Sequence, residues 1–220
     1  MKMLTVFEKG ARLRHIGHLD LMRAMQRALR RSSLPIRYSQ GFNPHILMSF
    51  AAPLSLGAVG LREVMEVSLD GNVTAEEFSR RLSQALPPDI RLLSCRPVED
   101  AHKPPMALLR AARYRIEPRG ECSLTLKDLD AFLGKASIPA VKKTKSGEKE
   151  IDLKPMIHEL MLNDGKIFCT LDLCEERSCK PELLLNCLCS SAGIPAMEAR
   201  IVRLLLLAEK DGAFLPLEDA

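Results

Sequence analysis

The spacing of apolar residues in the first half of the chain predicts alternating strands and helices. Leu21, Met25 and Leu29 recur at the period of one helical face, with arginines opposite, which predicts a helix. The predicted elements are, in order, a strand at Met3–Glu8, a helix at Gly17–Ser33, extended pieces at Ile36–Ser39 and Ile46–Ala52, a strand at Arg62–Leu69, a helix at Thr74–Leu86 and a strand at Ile90–Val98. We interpret this order as the β-α-β-β-α-β plan of a ferredoxin-like domain.

A polar, proline-rich stretch, Glu99–Pro105, separates this region from a second one with a similar element order. The elements predicted there are a strand at Arg113–Glu117, a helix from Ser123 or Thr125 to Leu133, a hairpin of Ala140–Lys145 and Glu148–Leu153, a strand at Ile167–Leu173, a helix at Pro181–Ser191 and a strand at Glu198–Ala208. This is one extended segment more than the plan contains. We therefore expect an α+β protein of two tandem ferredoxin-like (βαββαβ) domains, with antiparallel sheets and helices on one face. The predicted boundaries are 1–100 for the first domain, 101–110 for a linker and 111–220 for the second domain.

The composition is that of a folded protein without a membrane-spanning segment. Of the 220 residues, 46% are hydrophobic and 27% are charged, and no apolar run reaches the roughly 18 residues of a spanning helix. The N-terminal segment has no signal-peptide core, so we expect a cytoplasmic protein with no membrane partner. The seven cysteines are predicted to be free thiols. Their spacing matches no common zinc or iron–sulfur pattern, so neither a metal site nor a cofactor is predicted.

The positive charge is concentrated in one segment. Residues 12–37 contain seven arginines and one aspartate, whereas the whole chain has 32 Lys and Arg against 28 Asp and Glu. Arginine binds phosphate through paired N–H donors and exposed aromatic rings stack on unpaired bases, so this segment is predicted to bind nucleic acid. The candidate residues are Arg12, Arg14, Arg23, Arg27, Arg30, Arg31 and Arg37, with Tyr38 and Phe42. The alternative is a solvated helix face that only promotes solubility.

Histidines accompany the arginine segment. With Asp20, His18 and His45 are candidates for catalysis as general acid and base. In the alternative, each has a structural role: His18 caps the helix, His45 bonds a loop carbonyl and Asp20 pairs with the arginine three residues later. We predict that the motif loop of Gly41, Phe42, Asn43, Pro44 and His45 brings His45 near His18 and Asp20. Gly41 is expected to adopt a positive φ there.

Residues 17–57 contain the most specific pattern of the chain. It consists of His-Leu-Asp-Leu-Met-Arg at His18–Arg23, an arginine-rich helix, Leu34-Pro35, Gly-Phe-Asn-Pro-His at Gly41–His45, and Ser49-Phe50 before Pro53-Leu54. This pattern resembles the radical-SAM-associated protein family with the DUF2344 domain, although Gly17 and Ile46 stand where that family commonly has Ser and Pro. The resemblance implies a partner, a radical SAM protein encoded nearby or fused to the domain. Because this chain has no CxxxCxxC motif, any radical chemistry is expected on that partner.

The charge pattern and the resemblance lead to one expectation and two alternatives. We expect a non-catalytic radical-SAM-associated adaptor that binds RNA or a ribonucleoprotein through the arginine-rich helix. One alternative is an RNA-processing enzyme that uses His18 and His45 as general acid and base. The other is a protein-only subunit whose arginines contact an acidic partner surface.

Overall fold

The computed structural model of the chain describes residues 1–144 and 147–220. The strands are β1 (Lys2–Lys9), β2 (Met48–Phe50), β3 (Val59–Ser68), β4 (Ile90–Val98), β5 (Leu109–Pro118), β6 (Pro139–Thr144), β7 (Gly147–Asp152), β8 (Ile157–Asn163), β9 (Lys166–Asp172), β10 (Ala199–Lys210) and β11 (Ala213–Pro216). The helices are α1 (His18–Arg31), α2 (Ala75–Ala85), α3 (Pro105–Leu108), α4 (Leu126–Leu133) and α5 (Pro181–Ala192). The α+β class is confirmed, with mostly antiparallel strand pairing.

The chain divides into two compact units. The first contains Met1–Leu109 together with Leu205–Ala220, and the second contains Arg110–Leu204. The division after Leu109 falls within the predicted linker 101–110. The C-terminal residues differ from the predicted boundaries, since Leu205–Ala220 was expected in the second domain.

Two arginines explain why the C-terminal segment belongs to the first unit. Arg62 of β3 donates from Nε to Oε1 of Glu218 at 3.0 Å. Arg96 of β4 donates to the backbone oxygen of Glu218, also at 3.0 Å. Periodicity along the chain gives no sign of these contacts, because the partners are 156 and 122 residues apart.

The first unit builds its core between two helices and a sheet. β1 pairs antiparallel with both β3 and β4, and β2 pairs antiparallel with β3. One core cluster contains residues of both helices, both central strands and the connecting segments, among them Met3, Phe7, Leu21, Met25, Leu29, Met65, Val67, Phe78 and Leu82. Since the β1 and β3 members alternate along their strands, they lie on one face of the sheet. The two helices therefore pack against that same face, as predicted.

Helix α1 has the predicted position and orientation. Leu21, Met25 and Leu29 are fully or almost fully buried, because their spacing places them on the side that faces the sheet. The helix ends at Arg31, and Ser33 follows in the left-handed region with a φ of 54°. Pro35 then disfavours any continuation of the helix.

The predicted strand Ile36–Ser39 is wrong as a regular strand. Ile36 and Tyr38 each form only an isolated bridge, to Leu69 and Ile46 respectively. Pro35 contributes no N–H donor, and the chain must turn again between Ser39 and His45, so too few residues remain for a continuous ladder. The second extended piece is shortened to the three residues of β2.

The second unit contains two separate pairings of strands. β9 pairs antiparallel with β5 and with β8, whereas β6 and β7 form a two-stranded sheet of their own. The predicted β6–β7 hairpin is present, but its predicted turn includes Ser146, which lies outside the described residues. Strand β8 was not predicted because three consecutive apolar residues, Leu160, Met161 and Leu162, break the alternation of apolar and polar positions. The Asp164–Gly165 turn that follows it, with both φ values positive, is the hairpin signal that marks it.

No helix within the described part of the chain is both long and apolar enough to cross a membrane.

Candidate nucleic-acid interface

The outer side of α1 carries a row of exposed arginines. Because the buried face of the helix points to the sheet, Arg23, Arg27, Arg30 and Arg31 all project toward solvent. We call the first three of these residues the arginine face. Among the described residues, Arg23 is the member of this face with a carboxylate partner, since its Nη1 donates to Oδ1 of Asp20 at 3.0 Å. Both of these side chains are more than 60% exposed, so the pair is weak and easily exchanged for another anion.

Arg27 and Arg30 have no such partner in the part of the chain that the structure describes. Across residues 1–144 and 147–220, neither side chain forms an ion pair or a hydrogen bond to another side chain. Three like charges within two helical turns repel one another, and nothing on α1 beyond Asp20 offsets them. The arginine face therefore produces a positive electrostatic potential at the surface of the protein.

The flanking arginines differ in how far the fold uses their charge. Arg12 is exposed, and Arg14 donates from Nη1 to the Ala11 oxygen at 3.2 Å. Arg37 donates from Nε to Oδ1 of Asp70 at 2.7 Å and from Nη1 to Oδ2 of Asp100 at 3.4 Å. The hydrogen bond to Asp70 raises the pKa of Arg37, and the two carboxylates offset its charge. The Arg37 guanidinium is therefore already engaged by carboxylates of the protein and is less available to bind a ligand.

The motif loop is closed at its base by one serine and one histidine. The Ser39 amide donates to the His45 backbone oxygen at 2.8 Å, and the His45 amide donates to Oγ of Ser39 at 3.0 Å. The Ser39 hydroxyl also lies 2.8 Å from Nδ1 of His45. Gly41 has a φ of 120°, which confirms the predicted positive value and lets the chain reverse without strain.

This loop displays an aromatic ring to solvent. Phe42 is fully exposed at the tip, and Asn43, Pro44 and His45 beside it are exposed as well. Tyr38, near the base of the loop, is 38% exposed. An exposed phenylalanine contributes nothing to the core, so its side chain is available to stack on a base or to contact a protein.

The three candidate catalytic residues each have a structural partner. The His18 ring packs edge-on against Phe50, with 5.4 Å between ring centroids. His45 is bound to Ser39, and Asp20 to Arg23. In the part of the chain that the structure describes, no group of three or more His, Cys, Asp or Glu side chains is arranged to hold a metal ion. The proximity of His45 to His18 and Asp20 stays a prediction.

Two further arginines were missed in the sequence analysis. Arg80 and Arg81 lie on α2, next to the C-terminal end of α1, and Arg80 is exposed. Arg81 reaches the end of α1 with a hydrogen bond from Nε to the Ser32 oxygen at 3.0 Å. The adjacent pair of arginines in the sequence is the signal that marks them, but their proximity to α1 depends on a contact 49 residues away.

Two buried cysteines of the second unit are unreactive thiols. All seven are free, and three of them are buried. Burial raises the pKa of the Cys179 thiol to about 12 and also raises the pKa of Cys169, which keeps both thiols protonated and unreactive at neutral pH.

Comparison with known proteins places the chain in a family without assigning it an activity. A search of curated proteins finds no match. Residues 2–183 match the family model DUF2344, described as an uncharacterized protein conserved in bacteria. Because this match includes β1, α1, the motif loop and most of the second unit, and so covers well over half of the chain, the chain belongs to the DUF2344 family.

Proposed function

We propose that the chain is a non-catalytic, cytoplasmic adaptor that binds RNA or a ribonucleoprotein through the arginine face. The observation that carries this proposal is the exposure of Arg27 and Arg30 without any carboxylate partner among the described residues. A phosphate backbone would relieve the repulsion along α1 and would release counterions on binding.

The motif loop supports single-stranded RNA as the target. Phe42 offers an open ring face, and Tyr38, four residues earlier in the chain, is also exposed. Bases that are not paired stack on such rings, whereas paired bases are already stacked on one another. Phosphate contacts by the arginine face and stacking of bases on Phe42 are the two kinds of contact that this proposal combines.

A radical SAM protein is the proposed partner, on the basis of the family resemblance. The chain itself has no CxxxCxxC motif, so its proposed role is to present the RNA or ribonucleoprotein to that protein. Co-expression of the chain with a radical SAM protein encoded beside it, followed by copurification on the tagged chain, tests this part of the proposal. Recovery of the chain alone under low salt would contradict it.

The arginine face is tested by the double substitution Arg27→Gln/Arg30→Gln. Gln keeps helix propensity, so α1 should stay folded, while affinity for a labelled single-stranded RNA should fall. The slope of log affinity against log salt should flatten by roughly one unit for each lost phosphate contact. Fluorescence anisotropy at several salt concentrations measures both quantities, and circular dichroism confirms the fold.

A matched control removes the same charge elsewhere. Arg119 and Arg200 in the second unit are more than half exposed but already face Glu198 and Glu117, at 3.2 and 3.6 Å. Arg119→Gln/Arg200→Gln should therefore leave RNA affinity and its salt slope unchanged. If the two double substitutions weaken RNA binding equally, the affinity depends only on the net charge of the protein, and the arginine face is not a specific site. If Arg27→Gln/Arg30→Gln binds RNA like the wild type, the arginine face is not the RNA site. An acidic protein surface then becomes its proposed partner.

We also infer that each unit is a ferredoxin-like domain. In the first unit, the antiparallel pairings support the strand order β4-β1-β3-β2, with helices after β1 and β3. In the second unit, β5, β8 and β9 correspond to β1, β2 and β3, since β9 pairs with both other strands. The β6–β7 hairpin then represents an insertion after α4.

A further inference from the structure

A cleft of about 520 Å³ lies where the C-terminal ends of α1 and α2 meet. Its charged lining consists of Arg31, Arg80 and Arg81, together with the polar residues Ser33 and Gln84, and no carboxylate lines it among the described residues. A cavity of about 650 Å³ in the second unit is different, since it mixes Arg119, Lys166 and Arg200 with three acidic residues. Unlike that cavity, the cleft between α1 and α2 combines a concave shape with charged lining residues of one sign.

The arginines of this cleft are held in place by crossed hydrogen bonds. Arg31 of α1 donates from Nη2 to the Ala85 oxygen of α2 at 2.6 Å. Arg81 of α2 donates in return from Nε to the Ser32 oxygen at 3.0 Å, and from Nη2 to the Ser33 oxygen. Two fixed guanidinium groups lose little conformational freedom when a ligand binds, so the cleft is preorganised.

The same hydrogen bonds satisfy the negative ends of the helices. The carbonyl groups at a helix C-terminus would otherwise repel an anion. Here Arg31 and Arg81 neutralise them, and Glu77 offsets part of the Arg81 charge at 3.0 Å. Arg31 still has four of its five N–H groups to offer.

Arg80 is the residue of the cleft without another task. It is exposed, and no hydrogen bond or ion pair engages its side chain in the described ranges. Its five donors match the oxygens of a phosphate group in the bidentate geometry that guanidinium favours.

The turn that forms the rim of the cleft is itself unusual. Ser33 adopts a left-handed φ of 54°, which residues other than glycine seldom do. Its carbonyl is held by Arg81, so the strained turn and the fixed arginine form one rigid rim.

We infer that this cleft binds a phosphate group, with Arg80 and the free donors of Arg31 as its ligands and Arg81 as the residue that positions the rim. The phosphate is either part of an RNA backbone or carried by a small phosphorylated molecule. The inference goes beyond the proposed function, because it does not depend on Arg23, Arg27 or Arg30 and can fail separately.

Inorganic phosphate is the probe for the test. It is titrated into the full chain at constant ionic strength against chloride, while the arginine side-chain N–H signals are followed by NMR. We expect saturable shifts of the Arg31 and Arg80 signals. Arg80→Gln should weaken phosphate binding about tenfold or more, since a charge-assisted contact is lost without any loss of a structural bond. Arg27→Gln, which removes the same charge from the arginine face, should change it by less than about twofold.

Absence of saturable shifts, or equal effects of Arg80→Gln and Arg27→Gln, would overturn the inference. A short single-stranded RNA then distinguishes the two sources. Shifts of the same Arg80 signals by RNA, reversed by excess phosphate, identify the backbone as the source. Phosphate binding without any response of the Arg80 signals to RNA identifies a small phosphorylated ligand, whereas RNA binding by the arginine face is judged separately from the Arg27→Gln/Arg30→Gln titration.

Discussion

Among the large hydrophobic residues that the structure describes, Phe42 is the most exposed. It lies at the tip of a loop whose base is closed by Ser39 and His45, and its ring touches solvent on all sides. Phe42→Ala should therefore change the free energy of unfolding by no more than about 0.5 kcal/mol. RNA affinity should fall by about 1–3 kcal/mol, the contribution of one stacked base. Urea unfolding and a binding titration on the same preparation measure the two effects.

An aromatic residue elsewhere in the first unit provides the control. Phe214 on β11 is 37% exposed and lies outside the motif loop, so Phe214→Ala removes an aromatic ring from another part of the first unit. RNA affinity should be unchanged in this variant. If Phe42→Ala binds RNA like the wild type, the ring is free for a protein contact instead, and RNA recognition rests on phosphates alone.

The titration of Asp128 tests the capping box at the start of α4. Its Oδ2 accepts hydrogen bonds from the Thr125 hydroxyl at 2.6 Å and the Thr125 amide at 2.8 Å, which closes a capping box at the start of α4. These bonds lower the pKa of Asp128 from its ordinary 3.8, with the hydroxyl as the larger cause. Because the folded pKa is depressed, the cap stabilises the protein above pH 3.8 and is lost as the pH falls through the folded pKa.

Thr125→Val should raise the pKa of Asp128 toward its ordinary value, since the hydroxyl is lost and the amide bond remains. Thr125→Ser keeps the hydroxyl and should leave the pKa low. Carboxyl-carbon NMR titration of the three proteins measures the order. A pKa of Asp128 that is equal in the Val and Ser variants would contradict the capping box.

Helix α1 has the residues that stabilise the fold on one face and its positively charged residues on the other. Met25 is fully buried in the core, and Arg27, two residues later, is exposed. Met25→Ala should destabilise the protein by about 2–5 kcal/mol, whereas Arg27→Ala should cost less than about 0.5 kcal/mol. Thermal and urea unfolding measure both. A large loss of stability in Arg27→Ala would mean that the arginine face takes part in packing and is not free for a ligand.

Elements with a strong one-sided pattern could be predicted from the sequence. The bounds of α1, α2 and β4 follow from apolar periodicity and from Pro35, Thr74 and Pro87, which stop or cap the chain locally. β8 could not be predicted from apolar periodicity, although the Asp164–Gly165 turn marks its hairpin with β9. The segment Ile36–Ser39 could not be predicted reliably, because its bridge from Ile36 to Leu69 depends on backbone that is distant in sequence.

The same distinction applies to the candidate site. Exposure of Arg23, Arg27 and Arg30 follows from helical spacing alone. Helical spacing does not predict that Arg37 pairs with Asp70 and Asp100, which are 33 and 63 residues away. It also does not predict that Arg81 reaches the end of α1. Local pattern therefore predicts which side chains face solvent, whereas the charge that remains available is set by long-range contacts.

The chain passes through the second unit and then returns to complete the first one. The first unit is completed by Leu205–Ala220, which follow the entire second unit in sequence. In this segment the end of β10 forms a hairpin with β11, and the pairing runs from Leu207 opposite Pro216 to Lys210 opposite Ala213. A perturbation near the C-terminus is therefore expected to act on β3 and β4, far away in sequence.

Glu218→Ala tests this expectation. The Glu218 side chain is buried and accepts from Arg62, while Arg96 holds its backbone oxygen, so the substitution removes the partner of a half-buried arginine. Stability should fall by about 1–3 kcal/mol. Native-state hydrogen exchange should show the loss of protection in β3 and β4, with β8 and β9 in the second unit unchanged. Glu218→Gln keeps an oxygen acceptor for Arg62 and should recover part of the loss. If protection instead decreases equally in both units, the chain opens as one cooperative body and the division at Leu109 and Leu205 is only geometric.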